Sequence, residues 1–147
     1  MEAKPILEPG LHDFELSDIG NHFLNDFPQS ITRKPLIDGL NAFVAHLSKI
    51  GAPIELWIDG SFTTDKIDPN DIDLVIFSPA AILNELPPEK QKLFNDLTDR
   101  STIKQNFGCD VLFSPSEDDA ARSYWRGWYG FDRNENPKGI ARIKVSI

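Results

Sequence analysis

The sequence predicts an α+β fold, a small mixed sheet with helices packed mainly on one side. Three observations carry that prediction. Short apolar runs of strand length lie at 54–59, 71–77 and 110–113. A longer run over 33–50 places Leu36, Leu40, Phe43, Val44 and Leu47 at helical spacing. A last segment alternates Ile143, Val145 and Ile147 with Arg142, Lys144 and Ser146, the pattern of a half-exposed strand.

The elements follow in chain order. Residues 1–15 read as an extended arm, because Pro5, Pro9 and Gly10 interrupt any helix. Residues 17–27 form a short helix with Ile19, Phe23 and Phe27 on one face. The helix over 33–50 stops at Gly51. The strand at 54–59 comes next, then the strand at 71–77. Ser78-Pro79 reads as an N-cap followed by proline at the first helical position. Pro87-Pro88 breaks that helix and starts another, which carries Leu93, Phe94 and Leu97. After the strand at 110–113, Ser114-Pro115-Ser116-Glu117 has the form of a capping box. The helix it opens carries Ala121, Tyr124, Trp125 and Trp128, with Gly127 and Gly130 loosening its end. Tyr124, Trp125, Trp128 and Tyr129 are expected to cover the sheet. Residues 131–139 are polar and turn-rich.

The chain has 147 residues, which suits one domain over 1–147, and 40% of them are apolar or aromatic, enough for a core. The net charge of −8 argues against a protein that grips long nucleic acid through its phosphates. No apolar run reaches membrane-spanning length, and Met1-Glu2-Ala3-Lys4-Pro5 does not open a signal peptide. A cytoplasmic location is therefore expected. The single cysteine, Cys109, excludes an intrachain disulfide and reads as a buried, inert thiol.

One constellation carries chemistry. Trp57-Ile58-Asp59-Gly60-Ser61 is followed by a nine-residue spacer, Phe62 to Asn70, and then by Asp71-Ile72-Asp73 at the head of an apolar strand. Gly108-Cys109-Asp110-Val111 opens another. Side chains two apart on a strand face the same way, so Asp71 and Asp73 share a face, and a neighbouring strand can bring Asp110 alongside. Crowded carboxylates repel one another unless a cation sits between them, and an all-oxygen set suits Mg²⁺ or Mn²⁺. Gly60 permits close backbone approach to a phosphate, and Ser61 with the amides after it can donate to phosphate oxygens. Lys66, in the loop between, and Lys138, beside Gly139, are the first candidates for triphosphate contacts; Arg122 and Arg126 follow. An EF-hand is excluded, because counting from Asp68 puts Asp73 at the sixth position and Pro79 at the twelfth. Ser61 lacks the glycine frame of a hydrolase elbow, and His12, His22 and His46 have no ligand spacing.

At these residues the chain resembles the nucleotidyltransferase superfamily, whose hallmark is Gly-Ser, a spacer, Asp-x-Asp and a later strand aspartate. Glu8-Pro9-Gly10-Leu11-His12, Arg33-Lys34-Pro35-Leu36 and Pro137-Lys138-Gly139-Ile140 extend the likeness to a bacterial group of minimal-nucleotidyltransferase-like proteins. The resemblance implies a polymerase-beta-like fold and metal-dependent transfer of a nucleoside monophosphate from an NTP, ATP first, to a hydroxyl. It makes Asp71, Asp73 and Asp110 the catalytic, metal-holding triad and gives phosphate to Gly60 and Ser61. A partner protein as acceptor, as in toxin–antitoxin or phage-defence pairs, fits the acidic surface. The alternatives are a catalytically silent, antitoxin-like binding module of the same fold and a tRNA nucleotidyltransferase using Arg122, Arg126, Arg142 and Lys144.

Overall fold

A computed structural model describes residues 4–130 and 138–145, without the side chains of 127–129. The expectations for 131–137, Ser146, Ile147 and the side chains of Trp128 and Tyr129 lie outside these residues.

Five strands form one mixed sheet: β1 (Gly10–Asp13), β2 (Ile54–Asp59), β3 (Ile72–Ser78), β4 (Cys109–Pro115) and β5 (Gly139–Val145). Their spatial order is β1-β5-β2-β3-β4. β2 runs antiparallel to both β3 and β5, whereas β1–β5 and β3–β4 are parallel pairs. The α-helices are α1 (Ile19–Phe23), α2 (Arg33–Leu47), α3 (Ala80–Asn84), α4 (Pro88–Leu97), α5 (Arg100–Phe107) and α6 (Asp119–Tyr129).

Strand parity divides the sheet into two faces. Ile54, Leu56 and Ile58 of β2, Ile72, Leu74 and Ile76 of β3, and Cys109 and Val111 of β4 join one core with Leu36, Leu40, Phe43 and Leu47 of α2. Phe94 and Leu97 of α4, Ile103 of α5, Ile19 and Phe23 of α1, and Ala141 and Ile143 of β5 belong to it as well. The other face carries a smaller cluster of Trp57, Val75, Phe77 and Ile140, packed by Leu11 and by Trp125 of α6. Helices therefore cover mainly one side, as the sequence implies.

Several expectations are corrected. The extended arm supplies a strand that was not foreseen, Gly10–Asp13, which pairs with β5 at the sheet edge. β3 begins at Ile72 and runs through Ser78. Ser78 is thus no cap; its hydroxyl donates to the Pro53 carbonyl at 2.8 Å. Pro79 holds the N-cap position of α3 instead. β4 runs through Pro115, so the capping-box reading of 114–117 fails. Asp118 caps α6, accepting from the Ala121 amide at 2.9 Å. The Glu117 carboxylate reaches back to the α3 amides, 2.8 Å from Ala80 N. Tyr124 is 61% exposed and covers no sheet, whereas Trp125 does. Cys109 is buried, and desolvation pushes its thiol up to about 12, the inert thiol expected.

α5 is the element the pattern concealed. Asp99 caps it by accepting from the Thr102 amide at 3.2 Å. Gly108 ends it in the left-handed region (φ 73°), where a side chain would be strained. The chain then enters β4 directly.

A candidate metal centre at one end of the sheet

The second face ends in a row of carboxylates. Asp59 of β2 is in register with Asp73 of β3, and Asp73 with Asp110 of β4. Residues in register on adjacent strands share a face, so these three side chains stand side by side. Asp71, two residues before Asp73, joins the same side. One carboxylate oxygen each from Asp71, Asp73 and Asp110 lie within 4.8 Å of one another.

Asp73 sits at the centre and is half-buried. Desolvation, then the charges of Asp71, Asp110 and Asp59, pushes its carboxyl up to about 7. Gly60 explains how the carboxylate fits there. It has φ 83°, and a Cβ at this position would collide with the Asp73 carboxylate. The glycine of the Gly60-Ser61 pair therefore makes room for an aspartate of the cluster. Ser61 follows on a 3-10 turn, Gly60–Thr63, and its carbonyl accepts from the Thr64 hydroxyl at 2.7 Å.

The cations paired with the triad are ones the sequence did not single out. Lys66 is exposed on its loop, where its backbone rather than its side chain is fixed. Lys138 is drawn to Asp59, with Nζ 2.9 Å from Oδ2. Asp59 is 2% exposed, and burial pushes its carboxyl up to about 6 although Lys138 and Thr63 stabilise the anion. The triad is reached by α5. Arg100 forks Asp110 (Nε–Oδ1 2.9 Å, Nη2–Oδ2 3.1 Å), and Lys104 Nζ lies 3.2 Å from Asp71 Oδ2. Arg122 bonds Glu55 at 2.8 Å and lies over the Phe77 ring, Arg142 forks Asp13, and Arg126 is exposed.

One further residue organises the site. Arg33 is fully buried and donates to four backbone carbonyls: Phe23 and Phe62 at 3.0 and 2.9 Å, Thr64 and Lys66 at 2.7 and 2.6 Å. Its guanidinium lies 3.9 Å from the centroid of the Phe27 ring. Burial draws its pKa down, and nearby Asp68 opposes that. Asp68 clamps in return, accepting from Ser30, Ile31 and Thr32. The segment from Gly60 to β3 is thus pinned to the entry of α2. The N-terminal arm braces it too, through Ile6 N to Thr63 O at 2.9 Å.

Sequence reasoning missed Asp59, Arg100, Lys104 and Arg33 as site residues. Asp59 stands directly before Gly60, in phase with Trp57, which was signal enough. Arg100 and Lys104 required α5, whose legible marks were Asp99 as cap and Gly108 as stop.

The donor set fits a hard divalent cation. Octahedral Mg²⁺ holds oxygens at about 2.0–2.1 Å, so its opposite ligands lie about 4.2 Å apart. The cluster needs only small side-chain shifts to close on one ion, provided Arg100 and Lys104 yield.

Fold and site together define an α+β protein with a cation-competent carboxylate row at one end of a five-stranded mixed sheet. Residues 1–144 match the family of unknown function DUF6932, and the chain belongs to that family. No curated protein and no solved structure matches it. No helix among the described residues is long and apolar enough to cross a membrane.

Proposed function

We propose that the chain is a metal-dependent nucleotidyltransferase of polymerase-beta-like fold, moving a nucleoside monophosphate from a nucleoside triphosphate to a hydroxyl of a partner macromolecule. The observation that carries this reading is the convergence of Asp71, Asp73 and Asp110 beside the Gly60 turn. These three carboxylates are the residues to hold Mg²⁺ or Mn²⁺. Such an ion, when bound, neutralises triphosphate charge and lowers the pKa of an attacking hydroxyl. The chain's own contribution is positioning. Gly60 keeps backbone against Asp73, Ser61 offers its hydroxyl to phosphate oxygen, and Arg33 fixes the loop that carries both. With a net charge of −8, a basic protein is a better acceptor than RNA. ATP is the first donor to try, and a cytoplasmic setting suits both substrates.

A second reading is a silent binding module of the same fold that neutralises a partner protein. One observation favours it: Arg100 and Lys104 already satisfy Asp110 and Asp71 within the chain.

The test is transfer of label from each α-labelled NTP, with Mg²⁺ or Mn²⁺ and host lysate, beside an Asp71→Asn/Asp73→Asn double variant. Label on a macromolecular band with wild type alone supports the transferase. No label with either metal, alongside a stoichiometric partner recovered from the same lysate, supports the binding module.

A further inference from the structure

We propose that Arg100 and Lys104 form a phosphate clamp that also tunes metal affinity, holding Asp110 and Asp71 until a divalent cation takes those carboxylates and then turning to the oxygens of a nucleoside triphosphate. The inference rests on the nucleotide reading above and names the groups that recognise the ligand.

Four observations carry it. The two cations stand one turn apart on α5, so they present one surface. They lie on the solvent side of the site: their side chains are 60% and 55% exposed, against 21% and 19% for Asp110 and Asp71. Their helix is fixed, with Asp99 capping its start, Gly108 stopping its end and Ile103 buried in the core. The competing lysines are less suited. Lys138 is 12% exposed and bound to Asp59, and the backbone of Lys66 is tied to Arg33.

The coupling follows from charge. A divalent ion and the α5 cations compete for the same oxygens, so Arg100 and Lys104 weaken metal binding when nucleotide is absent. A triphosphate draws the two side chains outward, where the guanidinium fork matches phosphate geometry as well as it matches carboxylate. Removing them from Asp110 and Asp71 frees those carboxylates for metal. Metal and nucleotide then each tighten the other, and the coupling is reciprocal.

The experiment compares wild type with an Arg100→Gln/Lys104→Gln double variant. Free Mn²⁺ is titrated and followed by electron paramagnetic resonance. Binding of α,β-methylene-ATP in excess Mn²⁺ is measured by calorimetry. Loss of two exposed ion pairs is expected to tighten Mn²⁺ about fivefold. Loss of two charge-assisted phosphate contacts is expected to weaken the nucleotide analogue about tenfold or more. Lys92→Gln, an exposed cation on α4, should move neither. Unchanged or weaker Mn²⁺ binding in the double variant overturns the proposal, and so does unchanged analogue binding. If wild type binds neither Mn²⁺ nor analogue, this proposal and the nucleotide reading fail together. If both affinities shift in opposite directions while wild type transfers no label, the clamp stands and the transferase reading falls.

Discussion

Replacing Asp73 with Asn should stabilise the protein in metal-free buffer, and the gain should depend on pH in a particular way. The carboxyl is raised from 3.8 to about 7 by burial and by three neighbouring carboxylates. Below pH 3.8 the carboxyl is neutral in both states and costs the fold nothing. As pH climbs from about 4 to about 7, the unfolded chain ionises first and stability is lost; above about 7 the loss is complete. Each pKa unit is worth about 1.36 kcal/mol, so the shift of about three units sets a ceiling of about 4 kcal/mol. Asp73 is half-buried, and solvent screening brings the expected cost to roughly 2 kcal/mol. Asn keeps the shape beside Gly60 without the charge. For a chain of this size the gain corresponds to roughly 5 °C in Tm.

The assay is a set of thermal and urea melts of both proteins in EDTA, at pH 4.5, 6, 7 and 8. The difference should be small at pH 4.5, grow through 6 and 7, and level off by 8. Asp59, raised to about 6, contributes a slope of the same sign in both proteins; because its charge also helps raise Asp73, the substitution relieves that coupling too, and the difference reads both groups together. Carboxylates held low by their hydrogen bonds, such as Asp68 and Asp99, lose their contribution only as pH falls through about 4 and below, outside most of this window. A gain that does not change with pH, or a loss of stability at pH 8, would refute the electrostatic account. Adding Mn²⁺ should then raise the Tm of wild type and leave the variant nearly unmoved.

Other substitutions test other parts of the site. Arg33→Met should cost about 3–5 kcal/mol in urea unfolding, because it strands four carbonyls that the guanidinium satisfies. Gly60→Ala should lose Mn²⁺ binding and about 1–3 kcal/mol, since φ is 83° and the new methyl collides with Asp73; unaltered Mn²⁺ affinity would contradict the packing argument. Lys138→Met should destabilise strongly at pH 8 by leaving Asp59 buried without its cation, and Asp59→Asn in the same chain should recover most of the loss. Cys109 should resist thiol reagents in the native protein and react fully in urea, as burial of a thiol pushed up to about 12 requires.

What the sequence disclosed follows from how locally each feature is encoded. The strands at 54–59 and 71–77 and the helix opening at Arg33 have continuous or periodic apolar patterns, and all three appear within a few residues of the expected bounds. The triad was legible because strand parity alone fixes which face Asp71 and Asp73 share. α5 was not, because Ile103 is its one residue buried in the core and the rest reads as a polar connector. β1 hid for a different reason: two half-exposed residues between two exposed ones show no alternation, and their partner strand lies at the far end of the chain. The capping errors have a tertiary cause. No local rule says that Glu117 will cap a helix 37 residues earlier while Asp118 caps its own. Arg100 and Lys104 were hidden similarly, since sequence proximity points to Lys66 whereas the fold brings Lys104 and Arg100 to the carboxylates.

The order of the row also says which carboxylate most needs a cation. Asp59 is matched by Lys138, Asp71 by Lys104 and Asp110 by Arg100. Among the described residues Asp73 has no ion pair, and it stands between like charges on both sides. Backbone at Gly60 closes off one flank of the same carboxylate. A fold seeking only stability would gain by making this residue neutral, because directly opposed like charges weaken a sheet. Retaining an unmatched carboxylate at the centre of three matched ones makes sense where a mobile cation supplies the missing charge. Arg100 and Lys104 then keep the apo cluster tolerable without filling its middle. The most stabilising single change on this face and the most damaging one for metal binding should therefore be the same substitution, Asp73→Asn.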